Sequence, residues 1–312
     1  MEEGFRLWTN PSSPHAEGRA ARRALEDARE RVKRALGWEG EVIFTSGASE
    51  ALWIALNRAK AQRRAVSAVE HDAVFGAAPD AQVLPLVGGR PEFGAVEGDG
   101  WLVAIQQLNS ETGTVLLTGE GQIGTGNLLL ADCSQSAGKL PLPEADMLIL
   151  SAHKFGGPIG VGALLVREYA LLKPRGGHER GYRPGTENLP GVLGMAAALE
   201  AGGLDSWGTT KAERLAFRDR LGAVLAPGEQ CSWIFAVAHP TLSAQALLIR
   251  LDAAGFAVSA GSACSSGTLK RSRALEGFGI AEDVAARTIR VSLGWNTTAE
   301  ELERFVGVWG EL

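Results

Sequence analysis

Asp146-Met-Leu-Ile-Leu-Ser-Ala-His-Lys-Phe-Gly-Gly-Pro158 is the stretch on which the fold turns. Its apolar run is the right length for a strand buried on both faces, and its end delivers a Ser, a His and a Lys into a Gly-rich turn. Upstream, Asn127–Leu130 is a second apolar run and ends in Ala131-Asp132. An acid at one strand end and a lysine at the next suit pyridoxal phosphate chemistry. The lysine forms a Schiff base, and the carboxylate pairs with the pyridinium nitrogen so that the ring can take up electrons.

Further strand-like runs occur at Glu41–Thr45, Ala65–Val69, Gln82–Leu86, Trp101–Gln106 and Gly162–Val166, and helical patterns lie between several of them. Residues 16–36 carry Ala and Leu at helical spacing and stop at Gly37. The alternation predicts an α/β domain with a mostly parallel sheet whose strand ends carry the ligand. Leu189–Ala201 reads as an apolar helix, and Gly202–Thr210 as a break after it. Beyond the break we expect helices at Lys211–Leu225 and Ser243–Ala254. Strands are expected at Ser232–Ala238, Ala257–Ser259 and Ile289–Leu293. A last helix opens on the capping-box pattern Thr298-Ala-Glu-Glu301. The expected division is a large domain over 1–205 and a smaller α/β domain over 206–312.

Apolar residues make up 45% of the 312, enough for a substantial core. The formal net charge of -5 argues against a nucleic-acid surface. The Arg-rich stretch Arg19–Arg34 is interleaved with Glu26, Asp27 and Glu30, so it is expected to be a solvated helix face. Three cysteines, Cys133, Cys231 and Cys264, show no regular spacing, which points away from a disulfide framework and towards a reducing compartment. Met-Glu-Glu-Gly-Phe-Arg at the start lacks the layout of a signal peptide, and no apolar run reaches the ~20 residues of a membrane span. The expectation is a cytoplasmic protein without a resident metal.

Other positions add to the strand-end acid and lysine. Phe44-Thr-Ser-Gly-Ala-Ser-Glu50 follows a strand and opens a helix. Its small residues let backbone N–H groups and a hydroxyl approach a phosphate, although Ser49 also suits an ordinary N-cap. His71, after Glu70, lies past a strand end and could stack on a pyridine ring. Asn109 lies past another strand end, where Asn is commonly a turn residue. Gln135, three residues after Asp132, could donate to a phenolic oxygen. Cys264 sits in Ser259-Ala-Gly-Ser-Ala-Cys-Ser-Ser-Gly-Thr268, small and polar throughout, where a thiol has little to pack against.

These motifs, together with Asn10-Pro-Ser-Ser-Pro-His-Ala-Glu-Gly-Arg19, Glu179–Asn188 and Ile289-Arg-Val-Ser-Leu-Gly294, occur in one order along most of the chain. In this the sequence resembles the cysteine desulfurases of the NifS/IscS type, within the class V aminotransferases of fold type I. The resemblance implies that Lys154 holds pyridoxal phosphate, Asp132 pairs with the ring nitrogen and His71 stacks on the ring. Gln135 and Asn109 would lie at the phenolic oxygen, with Asn109 also near the substrate. Ser49, Ser151 and His153 would bind the phosphate. Thr186 would reach the phosphate of the other subunit in a homodimer with shared sites. Arg290 would fork onto the carboxylate of L-cysteine. Lys154 or His71 would move the Cα proton, and Cys264 would take the sulfur as a persulfide for a sulfur-acceptor protein. Such sulfur serves iron–sulfur clusters or thiolated compounds.

The chain departs from the family in four places. It begins close to Asn10-Pro-Ser-Ser, without the strand that usually precedes it. The stretch from Gly113 to Asn127 is Gly/Thr-rich where a helix is usual. Trp295 stands where the family often has Arg, and the C-terminal extension is largely absent. Two competing expectations follow. One is another class V enzyme, a selenocysteine or cysteine sulfinate lyase or an aminotransferase. The other is a trimmed, non-catalytic interaction subunit.

Overall fold

The computed structural model describes residues 1–118, 123–260 and 271–312. The chain starts with a short helix α1 (Glu2–Arg6) and the long helix α2 (Ala16–Leu36), then β1 (Glu41–Thr45), α3 (Ala48–Arg58), β2 (Arg63–Ser67) and α4 (Asp72–Ala77). β3 (Gln82–Leu84), the small hairpin β4 (Leu86–Val87) and β5 (Arg90–Pro91), β6 (Trp101–Gln106), β7 (Leu128–Asp132), β8 (Met147–Ser151) and β9 (Gly162–Val166) follow. The second half holds α5 (Leu189–Glu200), α6 (Lys211–Arg220), β10 (Val224–Leu225), β11 (Ile234–Ala238) and α7 (Ala244–Ala253). It ends with α8 (Arg273–Gly277), α9 (Glu282–Ala285), β12 (Thr288–Ser292) and α10 (Ala299–Gly310).

Seven strands form one sheet in the order β1-β9-β8-β7-β6-β2-β3. β3, β2, β6, β7 and β8 run parallel, whereas β9 is antiparallel to both β8 and β1. The C-terminal ends of β1, β2, β6, β7 and β8 therefore share one edge of the sheet. This is the α/β class expected. Parallel strands leave their ligand-binding loops on that edge, because each crossover helix returns the chain to the opposite one.

Alternation along the strands divides the core. Phe44, Val103, Ile105, Leu129, Ala131, Leu148 and Leu150 face the layer that contains α2 and α5. Ile43, Val66, Leu102, Ala104, Leu130, Met147 and Ile149 face the α3 and α4 side. Both faces are covered, so β8 is apolar at every position before Ser151, and each buried Leu or Ile stabilises by about 1.5–3 kcal/mol.

Helix α2 differs from the expected solvated face at one position. Arg29 is buried and forks onto Glu179, with Nη1 and Nη2 donating to the two carboxylate oxygens at 2.8 and 3.0 Å. Glu179 also accepts the N–H of Phe44 at 2.8 Å. The pair thus fastens α2 and β1 to the turn at Glu179 and Arg180, whose φ values of 46° and 56° are left-handed. Composition alone could not show this, because the partner lies 150 residues away.

Other departures have local causes. The helix expected over Lys211–Leu225 ends at Arg220, and Gly222 at φ 81° reverses the chain into β10. The strand expected over Gln82–Leu86 stops before Pro85, which has no N–H to donate, and Leu86 pairs in the hairpin instead. β2 lies two residues earlier than expected. Ser259 forms only a bridge to Arg290 rather than a full strand. Ser49 is not an N-cap: α3 is capped by Gly47, which places Ser49 inside the first turn.

A second, three-stranded antiparallel sheet has the order β10-β11-β12, with α6, α7 and α10 supplying its apolar cover. All strands of the large sheet precede residue 167 and all strands of the small one follow residue 223. On that basis we propose the division at 205/206. Among the described residues no helix is long and apolar enough to cross a membrane.

Candidate active site

The shared edge of the large sheet gathers the chemistry-bearing side chains. β7 ends in Asp132, β8 runs through Ser151 into a single turn holding His153 and Lys154, and β2 and β6 end just before Glu70-His71 and Asn109. The Lys154 turn closes on Gly156, whose φ of 88° is one that a side chain would oppose.

Asp132 is buried, and its Oδ1 accepts the Ser134 N–H at 2.8 Å. Burial raises the proton affinity of its carboxyl, while Ser134 and the charge of Lys154, with that of His71 when its ring is protonated, oppose the rise. Those charges bring three of the expected residues into one electrostatic neighbourhood. His71 caps α4: its Nδ1 accepts the Ala73 N–H at 3.1 Å. A ring nitrogen that accepts carries no proton, so the neutral ring holds its proton on Nε2. Asn109 donates to the carbonyl of Val69 at 3.3 Å, and its Oδ1 accepts from Thr112 N at 2.9 Å. It is therefore both a turn former and a neighbour of the Glu70-His71 turn.

Arg290, in the middle strand pairing of β12 with β11, reaches back to the same region. Nη1 donates to the Ser110 carbonyl and Nη2 to the Ser259 hydroxyl, both at 3.0 Å. A small cavity beside it is lined by Glu111, Leu275 and Thr288 among others. The small sheet thus places its arginine next to the loop after β6.

The expected phosphate ligands occupy the α3 side of the edge. Ser49 lies in the first turn of α3, beside Gly47, where an added side chain would point into open space. Ser151 Oγ and His153 Nδ1 are 3.1 Å apart, and burial together with the Lys154 charge holds His153 below the usual imidazole range. Thr186 is exposed. Its carbonyl accepts from Arg183, which also grips Glu50 of α3 at 3.2 Å. Gln135 is half-buried in the turn after Asp132. Cys133 and Cys231 are both buried; burial pushes the Cys133 thiol well above its ordinary value and the Cys231 thiol up to about 11. Cys264 lies outside the described residues.

Residues 5–305 match the family model of the aminotransferases of class V. The chain belongs to the class-V aminotransferase family. Within this class-V group, a cysteine desulfurase from Cereibacter sphaeroides is 37% identical, the match covering 96% of this chain and 87% of that protein. A cysteine desulfurase IscS from Archaeoglobus fulgidus is 31% identical over 96% of this chain and 88% of its own. A solved NifS-like protein superposes with a TM-score of 0.83 at 27% identity, covering 99% of this chain and 94% of that one. A structure titled SspA in complex with cysteine gives 0.76 at 26%, with 96% of each chain covered.

Two side chains of this class-V site have no role assigned by the sequence motifs. Lys139 donates to the carbonyl of Lys154 at 2.9 Å and lies over the Trp233 ring, 5.7 Å from its centre. Glu70 is almost wholly buried at the edge beside Asp132. The signal for Glu70 is present as a charged residue directly after an apolar strand. Lys139 has none, because its partners are a backbone carbonyl and an indole on other segments.

Proposed function

We propose that this chain is a pyridoxal phosphate-dependent cysteine desulfurase that converts L-cysteine to L-alanine and keeps the sulfur as a persulfide on Cys264. The observation that carries the reading is the placement of the buried Asp132 carboxyl, Lys154 and His71 at one shared strand edge. The curated cysteine desulfurases and the cysteine-bound structural neighbour support it.

The residues present fit the cofactor. Asp132 is buried at the end of β7, where its carboxyl can accept from a ring N–H. The small residues at the start of α3 leave room for a phosphate at the positive end of the helix. Lys154 would be joined to the cofactor, Asp132 would face its ring nitrogen, Gln135 and Asn109 its phenolic oxygen, and His71 its ring. Ser49, Ser151 and His153 would hold the phosphate, and Thr186 would reach the phosphate held by a second copy of the chain. Pyridoxal phosphate, when bound, supplies an aldehyde that captures the substrate amine and a ring that takes up negative charge.

The protein supplies the remaining steps. Arg290 orients the substrate carboxylate, exchanging its bonds to Ser110 and Ser259 for the planar pair that a carboxylate offers. With Nδ1 of His71 engaged by α4, its ring is a donor, and removal of the Cα proton falls to the amine of Lys154. The Cys264 thiolate attacks the substrate sulfur. An S–S bond forms, the Cβ–S bond breaks with its electron pair going to Cβ, and a proton completes alanine. Cys133 and Cys231 are unsuited to the attack, since burial disfavours both thiolates.

An acceptor protein would then take the sulfur. Cys264→Ser is expected to bind the cofactor and L-cysteine yet release no sulfide under a reductant; undiminished release would defeat the assignment of Cys264.

A further inference from the structure

Glu70 is a buried ionisable group at the site that the steps above do not use. It follows β2, is 4% exposed, and its Oε1 accepts the Gln106 N–H at 2.8 Å, which ties the end of β2 to the end of β6. Its Oε2 is buried and has no hydrogen-bond partner among the described residues. The Gln106 N–H and the nearby Ser67 hydroxyl favour the anion, but burial outweighs both, and an ionised carboxylate there would be poorly compensated.

The charges around it make the case sharper. β7 brings Asp132, whose negative field disfavours a second anion, and β6 brings only amides. Its own turn brings His71 and Asp72. Helix α8, packed on Val69 through Gly277, brings Arg273, which pairs with Asp72 at 2.8 Å, and Glu276, which faces Arg271. The loop after β6 brings Glu111, held by Ser272. Of these charged groups only Asp132 acts appreciably on Glu70. The two carboxyls are unequal: Asp132 accepts the Ser134 N–H and lies in the field of Lys154, whereas the one charge among these groups that acts on Glu70 is the negative one of Asp132. Where two neighbouring acids differ in this way, the proton stays with the one whose anion is less compensated.

We propose that Glu70 is a buried neutral carboxylic acid acting as a positioning residue: it joins β2 to β6 next to His71 while leaving the negative charge at the ring-nitrogen position, among the described residues, to Asp132. Its second half rests on the assignment of Asp132 made above. Burial, reinforced by Asp132, pushes the Glu70 carboxyl up to about 8 from an ordinary 4.5. Below the lower value both folded and unfolded chains hold the proton, and above the upper value neither does. Between them only the folded chain holds it, so stability falls as pH rises through that window and levels off above it.

The test uses the full-length protein with and without added pyridoxal phosphate. Difference infrared spectra of wild type against Glu70→Gln are expected to show the carbonyl stretch of a protonated acid at neutral pH, lost at strongly alkaline pH. Glu70→Gln is expected to gain thermal stability over wild type progressively across the window, then hold that advantage. Alanine formation is expected to fall roughly tenfold in Glu70→Ala, and glutamine to restore most of it. Absence of the acid band at neutral pH, or an offset in stability that ignores pH, would overturn the proposal. If Glu70→Gln fails to fold, the wild-type spectrum across pH decides without a variant: an acid band at neutral pH that is lost in alkali upholds the proposal, and its absence overturns it. An acid band in a protein that binds no pyridoxal phosphate would uphold Glu70 and reject the role given to Asp132.

Discussion

Lys154 does not stand alone in its turn: the ammonium of Lys139 holds its carbonyl and in turn rests against Trp233. Burial, and to a lesser degree the Lys154 charge, lowers Lys139 to about 8. A hydrogen bond from a charged donor is worth about 1.5–3 kcal/mol. Lys139→Met keeps the length and loses the donor, so alanine formation is expected to slow by roughly tenfold or more while cofactor still binds. A steady-state assay beside a cofactor absorbance titration checks this, and an unchanged rate would show that the turn holds itself. At this scale the sequence is unevenly legible. Asp132, Lys154 and Ser151 stand out because strand ends announce themselves as apolar runs meeting polar residues. Lys139 does not, since nothing local marks a lysine that bonds a carbonyl 15 residues away.

At the level of elements, strands with both faces covered are the most legible. β1, β6 and β9 begin and end where the apolar runs do. Helix α2 is placed correctly by its period and by Gly37, yet the pattern of its charged face hides Arg29, which pairs across 150 residues with Glu179. A buried ion pair that loses one partner leaves the other uncompensated, at about 3–5 kcal/mol. Arg29→Ala is therefore expected to lower the unfolding free energy by that much, seen as a lower denaturant midpoint at unchanged slope, and Arg29→Met together with Glu179→Leu to recover a large part of it. Equilibrium unfolding decides between this and a solvated arginine, whose loss would cost little.

Over the whole molecule, the loop after β6 joins the two sheets. The Gly113 carbonyl accepts the Cys231 N–H at 2.8 Å, and Val115 donates to the Glu229 carbonyl at 2.8 Å. A Cβ on Gly113 would run into the Ile234 carbonyl oxygen, and its φ of 72° already disfavours a side chain. Gly113→Ala is expected to push β11 away and so shift Arg290 relative to Asp132. KM for L-cysteine should rise more than kcat falls, with the thermal midpoint lower by several degrees. Unchanged kinetics would show that the contact does not set the spacing. This joint is beyond the sequence, where Gly113 reads as the end of the Asn109 turn and the start of a Gly/Thr-rich stretch, with no sign of its contact to β11.

The most direct measurement is the mass of the Cys264 peptide after the protein, loaded with pyridoxal phosphate, is incubated with L-cysteine and the alanine is counted. A desulfurase leaves that peptide one sulfur atom heavier, with alanine formed in equal amount during the first turnover. Alanine without added sulfur on Cys264, or no alanine at all, would contradict the account.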